Sequence, residues 1–287
     1  MPLTDKVCIV TGATSGVGRA TAIELARRGA TVAIVARDPE RARATAQEVA
    51  AAGGGRQPDV FLADLGRQGD VRRVAQEISA RFPAIHLLVN NAGVVNLKRT
   101  TTEDGIEATF AVNHLAYFLL TILLLDRLRA GAPARVVNVA SDAHKFVRGM
   151  NFDDLGFERD YRAMRVYGHS KLANILFTQE LARRLAGSGV TVNSVHPGAV
   201  ATGLGKNNGR LAQLAIRALA PFFRSPEQGA ATSLHVATAP ELASVTGRYF
   251  KNCREAEPSR AARDPEAARR LWQISEQLVG GAPSTGD

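Results

Sequence analysis

Tyr167 and Lys171 stand four residues apart, so a helix through them carries both side chains on one face. A phenol has a reference pKa of about 10 and is a poor base near neutrality. A neighbouring ammonium and the positive nicotinamide ring favour the phenolate and lower that value, so the pair is predicted to move a proton. Far upstream, Thr11-Gly12-Ala13-Thr14-Ser15-Gly16-Val17-Gly18 follows an apolar run and precedes a helical stretch. Glycines there let the backbone approach a phosphate closely, and the helix N-terminus behind them offers free N–H groups and a positive dipole end. The spacing is G-x-x-x-G-x-G rather than G-x-G-x-x-G, but the strand-before, helix-after context that such a turn requires is met. Turn and pair together predict hydride transfer between a nicotinamide and a carbonyl or alcohol.

Further residues gather around these two. An acid at the end of the second strand would hold a ribose 2′-hydroxyl; this chain has Ala36-Arg37 there, with the acid displaced to Asp38. A guanidinium can clamp a 2′-phosphate, which predicts NADP(H) in preference to NAD(H), with use of both as the alternative. Asp64 is placed to accept from an adenine amino group, and Asn90, Asn91 and Gly93 to run beside the adenosine ribose, although Asn and Asp favour loop caps anyway. Ser141 follows the fifth strand and can hydrogen-bond a substrate oxygen. Asn113 is expected behind the site, holding a water that relays protons to Lys171. His114, His144 and His196 lack metal-ligand spacing, so no metal is expected, and neither Ser141 nor Ser170 sits in a nucleophile elbow.

These residues need a scaffold, and the hydrophobic pattern supplies one. Val7–Val10, Thr31–Val35, Val60–Ala63, Ile85–Val89, Arg135–Val139 and Val190–Val195 read as strands. Between them lie helices over Arg19–Arg28, Pro39–Ala52 (Asp38 as N-cap), Val71–Phe82, Thr102–Arg129 with a break, and Tyr167–Leu185. Strands apolar on both faces and joined by helices argue for a parallel sheet covered on both sides, in a single α/β domain over 1–287. Gly203–Gln228 is expected to form a lid with an apolar helical stripe, and 264–280 a docked C-terminal helix.

Composition narrows the classes. The 287 residues are 45% hydrophobic and 22% charged, enough for a sizeable core. A net charge of +9 raises the question of nucleic acid, but the arginines are scattered on helices and aromatics are only 6%, so no nucleic-acid partner is predicted. The longest apolar stretch, Leu115–Leu125, is too short to span a bilayer and suits a buried or interface helix. With two isolated cysteines, Cys8 and Cys253, and no signal-like N-terminus, a reducing cytoplasm is expected.

The motif series resembles the short-chain dehydrogenase/reductase family: TGATSGVG from Thr11, NNAG from Asn90, Asn113 in FAVNHLA, Ser141 in NVASDAH, Tyr167-Gly168-His169-Ser170-Lys171, and His196-Pro197-Gly198. The resemblance implies a Rossmann-type doubly wound parallel sheet and a catalytic set of Ser141, Tyr167 and Lys171 assisted by Asn113. It implies cofactor contacts at Gly12, Thr14, Ser15, Gly16, Val17, Gly18, Arg37, Asp64, Leu65, Asn91, Ala92, Gly93, Tyr167 and Lys171, with Pro197, Gly198, Val200 and Thr202 closing over the nicotinamide. Ala36-Arg37-Asp38, Asn151–Leu155, SKLANILF from Ser170 and Cys253-Arg254-Glu255-Ala256 are similar to the retinol-dehydrogenase-like branch. That branch implies NADP(H) and small lipophilic aldehydes, ketones or alcohols; this chain departs from it in showing no N-terminal transmembrane anchor. Helices Leu115–Leu125 and Tyr167–Leu185 are placed to build a homodimer face, with a monomer as the alternative. Two rival readings use the same motifs: a dinucleotide-binding regulator with weak catalysis, and a sugar-nucleotide epimerase or dehydratase.

Overall fold

The computed structural model describes residues 3–200 and 224–280. Eight strands form one sheet in the order β3-β2-β1-β4-β5-β6-β7-β8. They are β1 (Val7–Thr11), β2 (Thr31–Ala36), β3 (Asp59–Leu62), β4 (Leu87–Asn90), β5 (Ala134–Val139), β6 (Val190–His196), β7 (Tyr249–Lys251) and β8 (Arg254–Glu255). All pairings are parallel except β7 with β8. Strand order reverses between β1 and β4, and the crevice above that reversal is where a parallel α/β sheet binds its ligand.

Period-two alternation sends neighbouring strand residues to opposite faces. Ile9, Ala33, Val35, Leu88 and Val136 enter one core; Cys8, Val10, Val32, Ile34, Val89 and Val137 enter the other. Helices α1 (Gly16–Arg27), α2 (Pro39–Ala52) and α8 (Pro226–Thr238) contribute to the second core. The first is covered by α3 (Gln68–Arg81), α4 (Ala108–Phe110), α5 (Ala116–Leu123), α6 (Leu125–Ala130), α7 (Ala163–Arg184) and α9 (Pro265–Leu278). The expected doubly wound arrangement is thus observed.

Local chemistry explains where elements begin. Asp38 accepts the Arg41 N–H, and Pro39 occupies the first turn, so α2 has the expected bounds. The helix expected from Thr102 begins later, because the Glu107 carboxylate caps the N–H groups of Thr109 and Phe110 while Thr101 and Glu107 form a bridge. Between α4 and α5 the chain makes a π turn, Ala111–Leu115, with Asn113 at its centre. Helices α1, α3 and α7 each start earlier than the hydrophobic stripe suggested. Strands β7 and β8 and helix α8 were not anticipated. Arg135, buried within β5, donates to the carbonyls of Val236 and Ala239 and so serves the C-terminal end of α8.

Asp264 caps α9 as expected, and Leu271 and Trp272 dock it. The Trp272 ring meets Phe118 edge-on at 4.9 Å and stacks on Phe177 at 6.0 Å, under the Arg184 guanidinium. The α5–α7 face expected to pair with a second copy is therefore occupied by the chain's own C-terminal helix. Among the described residues no helix is long and apolar enough to cross a membrane. Thr202 and most of the expected lid lie outside the described residues.

Candidate active site

A cleft of ≈ 440 Å³ opens at the carboxyl ends of β1, β2, β4 and β5. Its wall includes Gly12, Thr14, Ser15, Val17, Arg37, Asp64, Leu65, Asn91, Ala92, Gly93, Tyr167, Lys171 and Pro197. The structure thus brings the glycine turn and the Tyr–Lys pair to one cavity from sequence positions more than a hundred residues apart.

At one end the turn is packed by close approach. Gly12 has φ +65°, and a Cβ there would lie 2.7 Å from Ala92 Cα; a Cβ on Gly18 would lie 2.2 Å from the Asn91 amide nitrogen. Asn91 fastens the β4 loop to this turn, donating from Nδ2 to Thr11 O at 2.9 Å. Its own N–H and that of Ala92 donate to Thr11 Oγ1. The first turn of α1 holds no acidic residue, and Ser15 makes no side-chain cap, so its N–H groups face the cleft without a carboxylate competitor. Arg37 is exposed, 4.0 Å from Asp64 Oδ2, while Asp64 Oδ1 accepts the Gly66 N–H. Arg41 was not anticipated: one helical turn beyond Arg37, it lines the same wall and donates to Thr14 O at 3.1 Å. Its i, i+4 relation to Arg37 was the available signal.

Asn90 does not join this wall. It is fully buried and donates from Nδ2 to Thr121 Oγ1 and Asn138 Oδ1, both at 2.9 Å. The expectation failed because the last residue of β4 points into the first core, and only the next residue clears the sheet edge.

At the other end α7 presents Tyr167 and Lys171 on one face. Ser141 ends β5 in extended conformation, its Oγ accepting the Ala143 N–H at 3.2 Å, and its hydroxyl hydrogen-bonds Tyr167. Lys171 donates to Val139 O at 2.8 Å, and its ammonium lies 5.7 Å from the ring centroids of both Tyr117 and Tyr167. Burial pushes Tyr167 up to about 12, opposed by the Ser141 hydrogen bond, and pushes Lys171 down to about 7. Burial thus opposes the acidification expected of the phenol, because both groups are removed from water and the neutral form of each gains.

Asn113 sits behind Tyr167. Its Oδ1 accepts the Val94 N–H at 2.8 Å, and its Nδ2 donates to Val94 O and Ser170 Oγ, each at 3.0 Å. Both amide N–H groups are thereby used, and the side chain acts as a splint on the loop after β4. Ser170 passes the link to Tyr167 O at 2.8 Å. Gly16, Gly18, Gly198 and Val200 shape the backbone beside the cleft instead of lining it. Gly198 has φ +90° and packs under Arg224; Val200 meets Val17 above Gly229. His169 accepts the Asn151 N–H, and His114 bonds Ser275 Oγ, so both serve structure.

Residues 6–211 match the short chain dehydrogenase family model. Retinol dehydrogenase 12 of Mus musculus is 46% identical over 275 residues, covering 96% of this chain and 86% of that protein. The chain belongs to the short-chain dehydrogenase/reductase family, in its retinol-dehydrogenase-like branch. A solved but uncharacterised protein from Mycobacterium paratuberculosis superposes with TM-score 0.79 at 34% identity, covering 98% of this chain and 96% of that one. A Burkholderia cenocepacia short-chain dehydrogenase in complex with NADP gives TM-score 0.69 at 29% identity, covering 92% and 100%. As a family member the protein is an oxidoreductase that uses a nicotinamide dinucleotide. The uncapped α1 N-terminus and the Cβ-free Gly12 turn fit a pyrophosphate, and the two arginines fit a further anionic group.

Proposed function

We propose that the protein is an NADP(H)-dependent oxidoreductase that interconverts small lipophilic aldehydes or ketones and the corresponding alcohols, with Tyr167 as acid and base. Retinol and its aldehyde are candidates, since the similar curated proteins carry that name. The observation that carries the reading is the meeting of Tyr167 and Lys171 with the glycine turn, Arg37 and Arg41 on one cleft.

When bound, the cofactor supplies or takes up the hydride. In reduction, Tyr167 Oη–H gives its proton to the substrate oxygen, and Ser141 Oγ–H hydrogen-bonds that oxygen as charge develops on it. In oxidation, Tyr167 takes the alcohol proton. Lys171 stands beside the phenol and, once charged, stabilises its deprotonated form. Asn113 and Ser170 hold the Tyr167 backbone and the Val94 loop at a fixed separation. Arg37 and Arg41 would hold the 2′-phosphate, and Asp38, the acid nearest a 2′-hydroxyl, uses Oδ1 to cap α2. Cys8 and Cys253 are both free thiols, which supports a reducing compartment such as the cytoplasm.

Turnover of an aldehyde, ketone and alcohol panel with each cofactor tests the reading. Tyr167→Phe is expected to lower kcat by about 100-fold or more with NADPH affinity, read by fluorescence, unchanged. Undiminished turnover would refute the role of the phenol.

A further inference from the structure

The peptide that follows Ser141 is gripped on both of its polar atoms by imidazoles. Its carbonyl, Ser141 O, lies 2.7 Å from His144 Nδ1, and the backbone N–H of His144 also donates to it at 3.1 Å. Its N–H, on Asp142, donates to His196 Nδ1 at 3.2 Å. A carbonyl only accepts and a peptide N–H only donates, so these partners dictate the tautomers: His144 carries its proton on Nδ1, and neutral His196 carries its own on Nε2. The far side of His144 agrees, because Nε2 accepts the Ser259 N–H at 3.0 Å. Two neutral rings of opposite tautomer thus hold one peptide plane. His144 is fully buried, with its ring edge-on to Tyr249 at 5.2 Å. Asp142 is itself anchored by Tyr249 Oη at 3.0 Å and by the Lys251 ammonium.

We propose that His144 and His196 are positioning residues that fix the peptide after Ser141 and so aim the Ser141 hydroxyl at the substrate oxygen, tying the active site to β7 and to the segment before α9. The inference rests on the role given to Ser141 above, and it extends that role to residues from three separate elements. Oxyanion-type stabilisation depends on donors held in advance of reaction, and a displacement of about 1 Å can cost about 100-fold.

Paired amide substitutions separate this from a merely structural role. In His144→Asn the amide nitrogen replaces Nδ1, keeping the donor to Ser141 O and losing the acceptor for Ser259. In His144→Gln the amide oxygen replaces Nε2, keeping the Ser259 partner and losing the donor. The expected result is kcat within about threefold of wild type for His144→Asn and at least about tenfold lower for His144→Gln, with NADPH affinity the same in both. Equal kcat for the two, or the reverse order, overturns the proposal. Ser141→Ala is measured alongside: if it leaves kcat unchanged, the role of Ser141 fails; if it lowers kcat while His144→Gln does not, the positioning role alone fails. A measurement on the unaltered protein covers the case in which a variant does not fold. Nitrogen-15 NMR of labelled histidines near pH 7 should show neutral rings with His144 protonated at Nδ1 and His196 at Nε2. A charged ring at either position, or the same tautomer at both, overturns the proposal.

Discussion

Lys171 gives the sharpest quantitative test of the site, because its burial places a large pH-dependent energy in the fold. The side chain is almost wholly buried, and its pKa is lowered from 10.5 to about 7 by removal from water. A lysine whose folded pKa lies below its unfolded one binds fewer protons in the folded chain across that interval. Folding is therefore favoured as pH rises from about 7 to about 10.5, and the penalty is fully present below about 7. At 1.36 kcal/mol per pH unit, the penalty amounts to about 5 kcal/mol at the acid end. Lys171→Met keeps the stem and removes the charge. It also removes the 2.8 Å bond to Val139 O, worth about 1 kcal/mol, although Asn174 Nδ2 still reaches that oxygen at 3.3 Å. Urea unfolding without cofactor should show the variant more stable than wild type by about 3–4 kcal/mol at pH 7. That gap should shrink by at least about 3 kcal/mol by pH 10. Comparing the two proteins at each pH cancels the titration of every other group. The more stable variant should also be the inactive one, as expected where function holds a strained group in place. A gap that does not change with pH would refute the burial argument.

Three further outcomes follow from the same geometry. Arg37→Asp combined with Arg41→Ala should raise KM for NADPH by about tenfold or more and leave NADH little changed, since only the former presents a 2′-phosphate; unaltered selectivity would mean that the phosphate is held elsewhere. Asn138→Ala should lower stability by about 2–4 kcal/mol in urea unfolding, because Asn90 Nδ2 and Thr178 Oγ1 both lose a buried partner; a loss under about 1 kcal/mol would contradict the network. Light scattering on the purified protein should give the mass of one chain, because α9 covers the α5–α7 face; a dimer mass would overturn that expectation.

The scaffold was legible in the sequence where local rules act alone. Helix α2 has the bounds read from Asp38, Pro39 and Gly53, since cap, first-turn proline and terminal glycine all operate within the segment. The strands of the central sheet were legible because burial on both faces leaves continuous Val/Ile runs. What failed depends on partners distant in sequence. Glu107 reads as a helical residue until its carboxylate is seen to cap the helix that follows it. The three-residue β7 owes its existence to pairing with β6, and the two-residue β8 to pairing with β7. Asn90 and Asn91 are identical in type and adjacent, yet the sheet edge falls between them and sends one into the core. The burial that acts on Tyr167 and Lys171 was not legible for a related reason: spacing gives proximity, whereas desolvation is set by everything packed around the pair.

The buried amides show how the angular setting of a helix is held within a closed frame. A helix is easily mis-set about its own axis, and one residue of rotation turns a side chain by about 100°. Apolar packing resists such rotation only weakly, because one aliphatic contact can replace another. Hydrogen bonds do not exchange so freely. Asn138, on β5, accepts from Asn90 on β4 and donates to Thr178 on α7, while Asn174 on α7 donates to Val139 O beside Lys171. Each bond adds little net stability, yet a rotated α7 would strand several buried donors at a cost of about 1–3 kcal/mol apiece. The ladder therefore fixes the angular setting of α7 against the sheet. That setting decides whether Tyr167 and Lys171 face the cleft, as the histidine pair around Ser141 fixes the group that meets them there.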